Sequence, residues 1–252
     1  MLADRTVANK KMIAEYLNNA QHYSAKAASE LSKLPELIYN VSTKFIGEPG
    51  SELVKAYDNF INDSFKAFNY LKGHSPSTNH SLYEALETAS SAGTTAVPLP
   101  RFNDVVYPEL GEVKRANSSD DSGLTSANEV LAALNDIFLV SVNVQQAFAQ
   151  CIEQFQKIWH ICDGFPDFQS MANRCAEVYR DSNENLKEGI KNFKNDFEAI
   201  MKQYQSDYGQ KSGLTDDVIK QFEHKLEATA IRFNKIPSIN DAASSFVVET
   251  GH

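Results

Sequence analysis

The chain has 252 residues, 42% of them hydrophobic and 23% charged, with a formal net charge of −9. That length can bury a substantial core, and the composition is that of an ordinary globular protein. The acidic balance excludes nucleic acid as a default partner and disfavours anionic lipid, since both need clustered Lys and Arg.

The acidity is uneven: 1–92 holds 9 basic against 10 acidic residues, and 127–252 holds 12 against 18. Glycine and proline are sparse, which favours long helices over strands and turns. From about Asp4 to Lys33 the chain is rich in Ala, Lys, Glu and Asn, with Val7, Ile13, Leu17 and Leu31 at helical spacing. Its opening residues contain no apolar signal region. Pro35 interrupts the helix, a short helical piece PELIYNVSTKFI follows, and GEPG at 47–50 reads as a break.

SELVKAYDNFINDSFKAFNYLKG reads as an amphipathic helix closed by Gly73. The box Ser81-Leu82-Tyr83-Glu84 predicts a separate short helix ending at Gly93. Between 94 and 125 the helical pattern collapses. Three prolines, the apolar residues Val97, Leu99 and Phe102, and the run ANSSDDSG make an irregular crossover, its first part packed and its second a linker.

A second box, Ser126-Ala127-Asn128-Glu129, launches a helix that carries no charge between Asp136 and Glu153. Leu131, Leu134, Phe138, Phe148, Ile152, Phe155 and Trp159 form one apolar seam. Ile137, Val140, Val144, Ala147, Cys151 and Ile158 form another beside it. Two seams and one narrow polar stripe predict a central bundle helix. The uncharged interval is shorter than the ~20 apolar residues of a membrane span, and it contains Ser141, Asn143 and glutamines. DGFPDF at 163–168 forces an antiparallel hairpin with a helix from about Asp167 to Tyr208. Thr215 caps a last helix that runs toward Pro237, and the tail 237–252 has no period.

The expected fold is therefore all-α: an elongated antiparallel bundle of five or six helices with a long central hairpin. The expected organisation is an N-terminal half (1–93), a crossover (94–125), a hairpin plus final helix (126–236) and a tail, forming one structural unit. At ~1.5 Å per residue each long helix reaches roughly 50–60 Å.

Chemistry is sparse. Cys151 and Cys175 lie at equal distances from the hairpin turn, on facing apolar seams. They read as a candidate pair, with two buried thiols as the simpler account. His160, Cys162, Asp163 and Asp167 gather at the turn without a zinc spacing. Asp181–Asn192 starts like a calcium loop but has Leu186 where glycine is required, and Ser118–Glu129 lacks the first aspartate. No Glu-x-x-His pair, nucleophile elbow, phosphate loop or HExxH occurs. Four N-x-[ST] sequons, at Asn40, Asn62, Asn79 and Asn117, are at chance level in a chain rich in Asn and Ser.

No catalytic, metal or cofactor residue is nominated, and no cofactor is expected. The candidate interaction surface is the aromatic arc Tyr57, Phe60, Phe65 and Phe68, which could meet another protein or a lipid surface, with packing against the rest of the bundle as the simpler account. The expected function is that of a non-catalytic interaction or structural protein, acting by binding a protein partner or by self-association. The alternative is a membrane-active helical protein that exposes the 130–162 helix, and a third is an enzyme assembled by the crossover. Three cysteines point to a reducing, cytoplasmic setting, with a mature secreted chain as the alternative.

Overall fold

The computed structural model describes residues 2–34, 36–37, 48–91, 127–208 and 215–233. All of their regular structure is helical: α1 (Leu2–Leu31), α2 (Glu48–Ser91), α3 (Ala127–Ile161), α4 (Pro166–Tyr208) and α5 (Asp216–Phe233). At 44 and 43 residues, α2 and α4 are each about 65 Å long. The crossover 94–125 and the tail 237–252 lie outside the described residues. Of the short helix expected after Pro35 only the start is described, where the Leu37 N–H reaches the Lys33 carbonyl at 3.2 Å.

Local chemistry places the ends. Gly164, at φ 85°, makes the turn between α3 and α4, a backbone state that costs a Cβ-bearing residue steric strain. The Phe165 N–H closes that turn on the Cys162 carbonyl at 2.9 Å. Pro166 then opens α4, where its missing N–H costs nothing. As the sequence predicts, Thr215 caps α5: its Oγ1 accepts the Val218 N–H at 3.3 Å.

Helix pairing is antiparallel around a four-membered ring. Asn19 meets Gln154 while Glu30 meets Asn143, which runs α1 against α3. Phe60 meets Phe193 and Tyr70 meets Asp181, which runs α2 against α4. The hairpin joins α3 to α4, and the pairs Ser24–Ser75 and Gln21–Asn79 close the ring between α1 and α2. α5 lies beside α3 and α4 at the far end, where Phe222 packs on Phe197 and Lys225 sits 4.3 Å above the Phe138 ring. One contiguous core draws on all five helices.

The expected break at Gly73 is not there. Gly73 has helical rather than left-handed backbone, and α2 runs on through Pro76. Packing overrides the local signals: Phe68 and Leu71 before the glycine, and Leu82, Tyr83 and Leu86 after it, all enter the same core. Continuing the helix buries both sets, which outweighs a glycine and an interior proline. Hydroxyls bond back to the backbone around the proline, with Ser77 and Thr78 donating to the His74 carbonyl at 3.0 Å each. Ser81 likewise donates to the Ser77 carbonyl at 2.8 Å rather than capping a new helix.

A polar belt crosses the middle of this core. Tyr179 is fully buried, its ring between Phe148 and Phe155, and its hydroxyl lies 2.9 Å from Ser75 Oγ. Ser75 in turn lies 3.3 Å from Ser24 Oγ, and Cys151 Sγ donates to the Ala20 carbonyl at 3.4 Å. A helix sliding by one turn would strand these groups in an apolar core, so the belt holds all four helices in one register.

Candidate functional site: an asparagine-lined groove

That register brings two outward stripes together. On α2, Asn59, Asn62, Asp63, Lys66 and Asn69 follow three- and four-residue steps beside the buried Phe60, Ala67 and Phe68. On α4, Asn192, Asn195 and Asp196 do the same beside the buried Phe193 and Phe197. Between the stripes lies an open groove of about 840 Å3 lined by these eight residues.

Gly189 decides how closely α2 and α4 approach. A Cβ there would sit 2.8 Å from the Cβ of Asp63, so only glycine admits the present spacing. Above the contact, the Asp63 carboxylate pairs with Lys66 at 2.8 Å. At the nearer end Tyr70 donates to the Asp181 carboxylate at 2.8 Å, a strut from helix to helix, and stacks on His74 at 4.1 Å. The bond to Asp181, aided by burial, holds the Tyr70 phenol above its ordinary pKa.

Among the described residues the groove carries two carboxylates, one ammonium and five carboxamides. Each carboxamide offers an acceptor oxygen and two N–H donors. Among the described residues, none of these five is hydrogen-bonded to another group. Asparagine is also a poor choice for a helix surface, at about half a kcal/mol each below Ala, Lys or Glu. The arrangement suits a ligand that presents donors and acceptors along its length.

A second cleft, of about 380 Å3, lies between α1 and α3, and exposes Leu139. Glu30 stands at its wall. Burial alone would raise its pKa, but hydrogen bonds from Lys33 and Asn143 outweigh that and hold the carboxyl below its usual range.

The residues singled out by the sequence fall as follows. Phe60 and Phe68 turn inward, with Phe60 packed on Phe193 at 5.4 Å, so neither offers a surface while the bundle is closed. The side chains of Tyr57 and Phe65 lie outside the described residues. Cys151 turns to α1 and Tyr179, and Cys175 turns to Thr78 on α2. Both are buried thiols rather than a disulfide. Burial pushes Cys162 up to about 11 and Cys175 up to about 12, the latter partly offset by Thr78, and drives Cys151 higher still. Such thiols are unreactive.

Around His160 and the turn, as elsewhere among the described residues, no group of three metal-ligating side chains forms. Asp181–Asn192 lies within the unbroken helix α4, with Ser182 and Asn183 buried. Ser118–Glu129 begins outside the described residues. Of the sequons, Asn79 is fully buried and bonded to Gln21, Asn62 lines the groove, and Asn40 and Asn117 are not described.

The groove asparagines escaped the sequence reading because polar residues at helical spacing look like any solvated face. The available signal was asparagine itself, recurring at 59, 62 and 69 and again at 192 and 195, where better helix formers would serve a plain surface. No described helix is long and apolar enough to cross a membrane. No protein-family model, curated protein or solved structure matches the chain.

Proposed function

We infer that the chain is a non-catalytic binding protein that presents the outer faces of a rigid helical bundle to a protein partner or to a second copy. One observation supports this most. The bundle axis is filled by close-packed aromatic side chains, among them Phe148, Phe155, Tyr179, Phe197 and Phe222, while the α2/α4 concavity of about 840 Å3 is an open polar groove on the outside. Substrate sites for chemistry are usually enclosed and mostly apolar, with few converging polar groups. A wet, carboxamide-lined groove is suited to recognition.

A second reading rests on a different feature. The uncharged interval of α3 between Asp136 and Glu153, and Phe165 standing 62% exposed at the hairpin tip, suit a bundle that opens onto lipid. Size-exclusion chromatography with light scattering and small-angle scattering, with and without vesicles, separates the two. An elongated species indifferent to vesicles is expected. A monomer that co-migrates with vesicles, or releases their contents, would replace the first reading by the second.

A further inference from the structure

We propose that the α2/α4 groove holds an extended peptide segment of a partner, its backbone amides paired with the groove carboxamides and a Lys or Arg side chain directed to Asp196. The proposal rests on the binding-protein reading above and names the partner's chemistry. A carboxamide matches a peptide bond group for group, one acceptor and N–H donors against one N–H and one C=O. An extended strand is the macromolecular segment whose backbone groups are still unpaired. A docked helix has already satisfied its own and would instead desolvate the asparagines without replacing their hydrogen bonds with water.

Dimensions agree with this. Asn59 to Asn69 spans about 15 Å of helix, the length of about four or five extended residues at ~3.3 Å each. Asn192 and Asn195 flank the same stretch from α4, so a strand laid along the groove meets carboxamides on both sides. Among the described residues the lining includes no aromatic ring on which a sugar face could stack.

The charge selects among peptides. Lys66 is engaged by Asp63 at 2.8 Å, and among the described residues Asp196 has no ion-pair partner. The described lining therefore carries one net negative charge on a chain of net charge −9, and a basic side chain is the complement. The groove is also prepared in advance. Gly189 sets its width and the Tyr70–Asp181 bond braces its end, so binding orders the peptide but not the receptor.

The test pans a phage-displayed random heptapeptide library on the folded full chain. Enriched peptides are then titrated by fluorescence anisotropy. The proteins compared are the wild type, the triple variant N62A/N192A/N195A, the single variant D196K, and the control N135A in the cleft between α3 and α5. Asparagine-to-alanine changes on a helix surface favour the helix, so circular dichroism should show the variants folded. The expected result is enrichment of peptides bearing Lys or Arg. Their affinity should fall at least about tenfold in the triple variant, a loss of ~1.4 kcal/mol. It should also weaken in D196K, hold in N135A, and drop when the peptide amides are N-methylated. Peptides that bind the wild type and the triple variant alike would overturn the groove proposal and leave the binding-protein reading standing. Groove binding indifferent to N-methylation would overturn the backbone pairing, and no enrichment at all would overturn the peptide as occupant. The binding-protein reading itself stands or falls on the vesicle experiment.

Discussion

Removing one oxygen from the middle of the core tests the logic of the bundle. In Tyr179→Phe the ring keeps its packing between Phe148 and Phe155, and only the hydroxyl 2.9 Å from Ser75 is lost. Ser75 retains Ser24 at 3.3 Å, so no group is orphaned outright. The hydroxyl also bonds the Cys151 thiol, which keeps Ala20, so the cost is that of one buried hydrogen bond and one weaker thiol bond, about 1–1.5 kcal/mol. In a chain of this size that lowers Tm by roughly 2–4 °C. Tyr179→Ala also leaves a ring-sized cavity and should cost about 3–5 kcal/mol. Urea unfolding followed by circular dichroism measures both. Ser75→Ala completes a double-mutant cycle with Tyr179→Phe, whose coupling should reach about 0.5–1 kcal/mol, because a shared bond is lost only once. A Tyr179→Phe protein as stable as wild type, with coupling indistinguishable from zero, would show that the belt does not tie the helices together.

Two glycines should respond in opposite directions in thermal melts. Gly73→Ala meets nothing within 4 Å in a helical stretch and should gain about 0.5–1 kcal/mol. Gly189→Ala brings its Cβ to 2.8 Å from Asp63 Cβ and should lose about 1–3 kcal/mol by forcing α2 and α4 apart. Pro76→Ala restores the N–H missing from the middle of α2 and should raise Tm. The buried thiols should resist a disulfide reagent at pH 8 until urea exposes them. They also set an alkaline limit. Their folded pKa values lie above the ordinary 9.0, at about 11 for Cys162 and about 12 for Cys175. Between pH 9 and 11 the unfolded chain therefore holds fewer protons than the folded one, and stability must fall as pH rises. Cys162→Ala should flatten that slope, and a slope unchanged by the substitution would contradict it.

Much of this protein was legible in its sequence, because helix-forming patterns are local. Apolar residues at three- and four-residue spacing announce α1 and α3, and the absence of charge between Asp136 and Glu153 announces a helix touched on two sides. DGFPDF and Thr215 marked ends through turn and cap chemistry that needs only a few neighbouring residues. Tertiary structure alone decided the rest. Gly73 reads as an ending until packing on both sides makes continuation through Pro76 the lower free energy. For Phe60 and Phe68 periodicity gives a stripe but not what it meets, an outside partner or the bundle itself, and the packed bundle takes both inside, Phe60 against Phe193. The groove needed both. Asn62 and Asn195 lie 133 positions apart, and only the register held by the polar belt and the close approach at Gly189 bring their stripes to one site. Spacing within a helix is a property of the chain, whereas which faces come together is a property of the packed whole.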